Sequence, residues 1–205
     1  MSTTKTTTKT TTKTTANRAI KARAKATPDR IQNDIVSAKA IVDKKIVDNN
    51  IHHVAETQEL TIADLPSGDI SVPMNLWLDH KVELQAREGL VAVQIAADEF
   101  PEDFTDEYAD ITTIVLPMVS HVDGRSYSHA YKLRTRFAYQ GQIRAIGDVK
   151  YDQLGFLARS GCDAFELPEG ENLEVALSAF TEMSDVYQPS ADGGALIFSR
   201  RRAIH

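Results

Sequence analysis

Apolar and polar positions alternate in two registers along the chain, one of period two and one of helical period. Residues 40–48 hold two short β-branched runs, Ala40–Val42 and Lys45–Asp48, around Asp43-Lys44, a pattern that predicts a β-hairpin. From residue 69 onward strand-like and helix-like segments alternate. The predicted strands are Asp69–Pro73, Leu90–Ala96, Ile111–Val119, Gln142–Val149 and Asp163–Leu167. The predicted helices are Met74–Arg87 with Trp77 and Leu78 packed, a short acidic one from Pro101 to Tyr108, Ser126–Tyr139, Lys150–Ser160 closed by Gly161, and Glu171–Met183. In the last of these, Leu173, Ala176, Leu177 and Phe180 fall at helical spacing. LVAVQIA at 90–96 is nearly continuous in apolar residues, as a strand covered on both faces must be.

Five β-α units in series predict an α/β fold with a parallel sheet. Two architectures satisfy this spacing: an open three-layer sandwich and an incomplete barrel, with the hairpin at one end or edge. Domain organisation follows from composition. Residues 1–34 open on a Thr/Lys tract that cannot build a core and are expected to be a disordered basic tail. Residues 35–188 are expected to form one α/β domain, and 189–205 a C-terminal tail or partner-binding strand.

Charge and cysteine content narrow the function classes. Residues 1–30 carry eight Lys and Arg against Asp29 alone, so a net charge of -6 for the whole chain leaves -13 on residues 31–205. An acidic body argues against nucleic acid as a specific partner and fits a soluble enzyme or a protein that docks on a basic surface. No apolar run approaches the roughly 20 residues of a membrane span, and Thr and Lys fill the N-terminus where a signal peptide would be apolar. With Cys162 as the one cysteine, no internal disulfide and no cysteine-ligated cluster can form within a single chain. The expected location is cytoplasmic.

Candidate chemistry collects where strands should end, the rim at which parallel α/β folds bind ligands. Asp123-Gly124-Arg125-Ser126 follows one strand and opens a helix. Gly124 suits a tight turn, Ser126 an N-cap, and Arg125 a bidentate clamp, so the turn reads either as a seat for a small oxyanion or as a plain turn with Arg125 paired to Asp123. Arg144 interrupts an apolar strand and needs a counter-charge, from Asp148, Glu166, Asp123 or an anionic ligand. Asp148 and Glu166 are the candidate catalytic acid/base residues, and with Asp152 they could form a carboxylate cluster. Gln153 and Arg134 are supporting candidates, Arg134 because it falls within an apolar helical stripe. No spacing specific to a metal site is present, and no nucleotide, flavin or nicotinamide fingerprint identifies a cofactor.

The run DGRSYSHAYKLRTRFAYQGQIRAIGDVKYDQLGFLARSGCDAFEL at 123–167 resembles the core of a bacterial family of unknown function, whose members read DGRGYS, then LR, GELRAVGDVLRDQL and RCGFDAFEL. The likeness extends more loosely to IVDKKIVDNN at 41–50, DISVPMNLWL at 69–78 and VYQ at 186–188. Ser126 stands for a usual Gly, Ser160 also departs from the pattern, and Cys162 stands where the family often has Phe. The family is described as probable oxidoreductases involved in sulfite reduction, encoded beside sulfite reductase. The resemblance therefore implies a place in assimilatory sulfite reduction, with the sulfite reductase hemoprotein or its electron donor as partner. Three roles follow as expectations: an anion-binding accessory protein, a small-molecule enzyme using Asp148 and Glu166, and a non-catalytic interaction partner.

Overall fold

Asp43 and Lys44 both adopt positive φ, 49° and 61°, and so reverse the chain in a two-residue turn. Such turns match the twist of the strands they join, and they favour Asn, Asp or Gly. Here Asp43 meets that preference and Lys44 takes the place of the usual glycine. The turn joins β1 (Lys39–Val42) to β2 (Lys45–Asp48), with Val42 opposite Lys45. The computed structural model describes residues 37–54, 62–183 and 186–193. The basic segment 1–34 and most of 189–205 lie outside the described residues.

Six further strands follow: β3 (His52–His53), β4 (Ile70–Pro73), β5 (Val91–Gln94), β6 (Thr113–Met118), β7 (Gln142–Gly147) and β8 (Ala164–Phe165). They run parallel in the order β3-β4-β5-β6-β7-β8. The hairpin adds antiparallel to the β8 edge through Ile41 opposite Phe165, giving a mixed sheet of eight strands. The parallel part exceeds the five expected units by β3, whose two residues are too short to register as a periodic signal. Among the described residues four α-helices accompany the sheet: α1 (Met74–Gln85), α2 (Arg125–Thr135), α3 (Tyr151–Ser160) and α4 (Leu173–Ala176).

This strand order decides between the two expected architectures. Right-handed crossovers between strands that succeed one another without reversal all fall on one side of the sheet. A three-layer sandwich requires a reversal, and none occurs. The second face is closed by the sheet itself, which curls until His53 of β3 reaches Glu166, just beyond β8, at 2.9 Å. Strand registers place Ser71, Ala92, Val115, Arg144 and Ala164 on this concave face, all buried. The convex face presents Ile70, Val72, Ile114, Leu116, Ile143 and Phe165. Against it lie helices whose Trp77, Leu84, Ala130, Leu133, Leu154 and Leu157 are nearly or fully buried. Each large apolar side chain so covered contributes about 1.5–3 kcal/mol.

The helices are shorter than their patterns predict. α1 carries a non-helical His80, ends at Gln85, and leaves Leu78 on the surface rather than packed. Pro101–Phe104 forms only a 3-10 turn, and α2 ends at Thr135. The segment with the most regular apolar spacing, 171–183, shrinks to α4 and a 3-10 turn at Leu177–Phe180. Asn172 caps its start through Glu174 N and Val175 N, but Ser178 and Thr181 hydroxyls then bond back to Val175 and Ser178 carbonyls. Such local side-chain bonds compete with helix continuation. α3 does end at Gly161, whose φ of 116° lets Gly161 N and Cys162 N bond to Ala158 O and Leu157 O.

Candidate functional site

Strand alternation turns Arg144 of β7 into the concave interior, where an unpaired guanidinium would cost several kcal/mol. Its Nη1 donates to Glu166 Oε1 and to Asn49 Oδ1, each at 2.8 Å, and Nε and Nη2 reach Gln142 Oε1. The other oxygen of Glu166 accepts from His53 Nε2 at 2.9 Å. His53 Nδ1 lies 2.6 Å from Ser71 Oγ, which accepts from Gln94 Nε2 at 2.8 Å. The directions are consistent throughout. Gln94 donates to Ser71 and His53 Nε2–H donates to the Glu166 carboxylate; in the neutral ring Nδ1 then accepts from the Ser71 hydroxyl. One polar chain therefore spans the interior from the hairpin root to the β5 end. Glu166 is fully buried and His53 is 15% exposed, so the histidine is one of the points, with half-buried Gln94 and Gln142, at which the chain approaches solvent.

The rim turn satisfies itself. Arg125 Nε lies 3.0 and 3.1 Å from the two Asp123 oxygens and Nη2 lies 2.6 Å from Oδ2. Arg125 N also donates to Asp123 Oδ1. The Arg125 guanidinium holds the Asp123 carboxyl below its usual range. Asp123 therefore occupies the seat expected for an anion. Gly124, not Ser126, is the N-cap; Ser126 lies within α2 and donates its hydroxyl to Pro117 O from a buried position.

Loops after β6 and β7 do share one rim. His121 N donates to Asp148 Oδ2 at 2.9 Å, with His121 Nδ1 3.5 Å and Lys150 Nζ 3.7 Å from the same carboxyl group. Gln153, buried, binds His121 O and Lys150 N. Gly147 has φ of 92°, and a Cβ there would sit 2.7 Å from Met118 O. The tight exit of β7 thus requires glycine.

The expected carboxylate cluster does not form. Glu166 is inside the curl, Asp148 is on the rim, and Asp152 is exposed on α3. Among the described residues no three His, Cys, Asp or Glu side chains could hold a metal ion. Arg134, the supporting candidate within the apolar stripe of α2, does not reach the rim. It donates to the carbonyls of Tyr139, Gly141 and Gly161 and to Asp163, residues that precede β7 and β8, so it works at the opposite end of the strands from the rim.

Cys162 is buried, and burial pushes its thiol up to about 12. Reaction with iodoacetamide at pH 8 is expected only after unfolding, because the thiolate is the reactive form. Stoichiometric labelling of the native protein, read by mass spectrometry, would contradict this.

Residues 92–198, more than half of the chain, match the family model described as a bacterial protein of unknown function, DUF934. The chain belongs to this family. The matched stretch carries Gln94, Arg144 and Glu166; Asn49, His53 and Ser71 precede it. Searches of the curated proteins and of the solved structures each find no match. Among the described residues no helix is long and apolar enough to cross a membrane.

Proposed function

We propose that this chain is an accessory protein of assimilatory sulfite reduction that docks, through its acidic body, onto a basic surface of the sulfite reductase hemoprotein or of its electron donor. The pathway rests on the resemblance of residues 123–167 to the family described above. The mode of action rests on how charge is deployed. Arg125 and Arg144, the two candidate anion clamps, are both engaged by carboxylates of the chain itself. Residues 31–205 carry -13. Charge of this kind steers association and makes it sensitive to salt. A single cysteine holds no cluster alone, so in this reading the redox chemistry belongs to the partner. Sedimentation of the purified chain with the hemoprotein, and separately with its donor, tests it. A complex at low salt that dissociates at high salt is the expected result; independent sedimentation in both mixtures at low salt would overturn it.

A second reading, an enzyme that uses Glu166 as acid/base, draws on one observation: His53 connects the buried carboxylate to a partly exposed edge. Turnover abolished in Glu166→Gln, with the fold retained by circular dichroism, would favour it. Full turnover in that variant would remove Glu166 from the chemistry.

A further inference from the structure

A cleft of about 460 Å³ opens between α3, the turn of the β1–β2 hairpin and the segment that follows α4. Buried Cys162, Phe165 and Ala179 line it, and Phe165 meets Phe180 at 5.3 Å between ring centroids. Two large apolar side chains at the cleft stay exposed, Phe156 at 51% and Met183 at 55%. Its charge is one-sided, with five carboxylates against Lys44 and Arg159. Arg159 is already engaged, donating to Gln188 O at 2.8 Å with its Nε 3.6 Å from Asp192. Asp43 and Asp152 are exposed and have no hydrogen-bonded or ion-paired side-chain partner among the described residues. An apolar interior edged by carboxylates of this kind complements a segment that presents apolar side chains beside cationic ones.

From this juxtaposition we infer that the cleft is the docking groove for an apolar-and-basic peptide segment of the partner protein, whose apolar side chains lie over Phe156, Phe180 and Met183 and whose Lys or Arg side chains meet Asp43 and Asp152. The inference rests on the docking reading above and assigns that reading a place on the molecule. None of its lining side chains belongs to the rim pairs or to the interior network.

Fluorescence anisotropy tests it with the full chain and a fluorescein-labelled synthetic peptide of leucine and arginine, Leu-Arg-Leu-Leu-Arg-Leu-Arg, a sequence that does not occur in this chain. Asp43→Asn with Asp152→Asn removes two charges, and asparagine tolerates the positive φ at position 43. Phe156→Ser removes exposed apolar surface without touching the core. The expected result is saturable binding, weakened about fivefold or more by the double charge removal and further by Phe156→Ser. Absence of binding, or binding that these variants leave unchanged, overturns the assignment. A peptide that binds only after Arg200, Arg201 and Arg202 are changed to glutamine also overturns it, because the occupant is then the chain's own segment. The two readings fail separately. A hemoprotein or donor complex undiminished by the cleft variants removes the groove and leaves docking intact. Peptide binding as expected without any such complex supports the groove's ligand chemistry and removes that partner.

Discussion

Glu166→Ala is expected to destabilise the fold by about 3–5 kcal/mol, the cost of stranding one member of a buried ion pair. Arg144 would keep its charge at 6% exposure, with only the neutral amides of Asn49 and Gln142 as acceptors. His53 would lose its acceptor at the same time, and with it the bond that holds β3 against the far side of the curl. Removing the charge as well should recover part of the loss. In Arg144→Met with Glu166→Ala the stranded guanidinium is gone, so the double variant should be more stable than Glu166→Ala alone, with a coupling of about 1–3 kcal/mol. Urea unfolding midpoints measure all three. Costs that simply add would mean that the two groups do not act as a pair.

Arg134→Lys is expected to cost about 2–4 kcal/mol, nearly as much as Arg134→Ala. The planar guanidinium serves three backbone carbonyls and the Asp163 carboxylate at 2.7–2.9 Å, a fan of acceptors that a single ammonium cannot reach together. Asp163 sharpens the loss. Burial raises its carboxyl above the ordinary value while Ile143 N and Arg134 act against that rise, so without Arg134 the charged form is held by backbone donation alone. Gly161 belongs to the same device. A Cβ there would lie 2.4 Å from Arg134 Cγ, and φ is 116°, so the residue that ends α3 also makes room for the arginine stem. Thermal unfolding of Arg134→Lys within about 0.5 kcal/mol of the parent would show that the fan is incidental.

Parts of this site were legible before any coordinates. Arg144 breaks an apolar strand, and the demand for a counter-charge narrows to a few carboxylates, one of which, Glu166, is the partner found. Asp123 and Arg125, two residues apart on a turn, announce the pairing they form. Ser71 and Gln94 gave the same kind of signal, single polar residues at alternate positions of ISVP and VAVQ, yet their strands read simply as apolar. His53 stands beside His52 with no local signal to mark it. Its partner lies 113 positions away along the chain, and no local pattern encodes a contact of that separation. Arg134 showed itself as an oddity in a helical stripe, but which end of the sheet it serves depends on where α2 lies, not on its sequence neighbours.

Local chemistry alone determined the hairpin, the central parallel strands and the glycine exits, because strand alternation, turn stereochemistry and capping act over a few residues. It also determined the acidic charge of the body and the need for a counter-charge at Arg144. Tertiary structure alone decided the rest: that the strands succeed one another without reversal, that the sheet curls until His53 reaches Glu166, and that His53, Glu166, Arg144 and Asn49 meet inside it. The reason is that curl is a property of the whole strand order, and the distance across a closing seam is independent of distance along the chain.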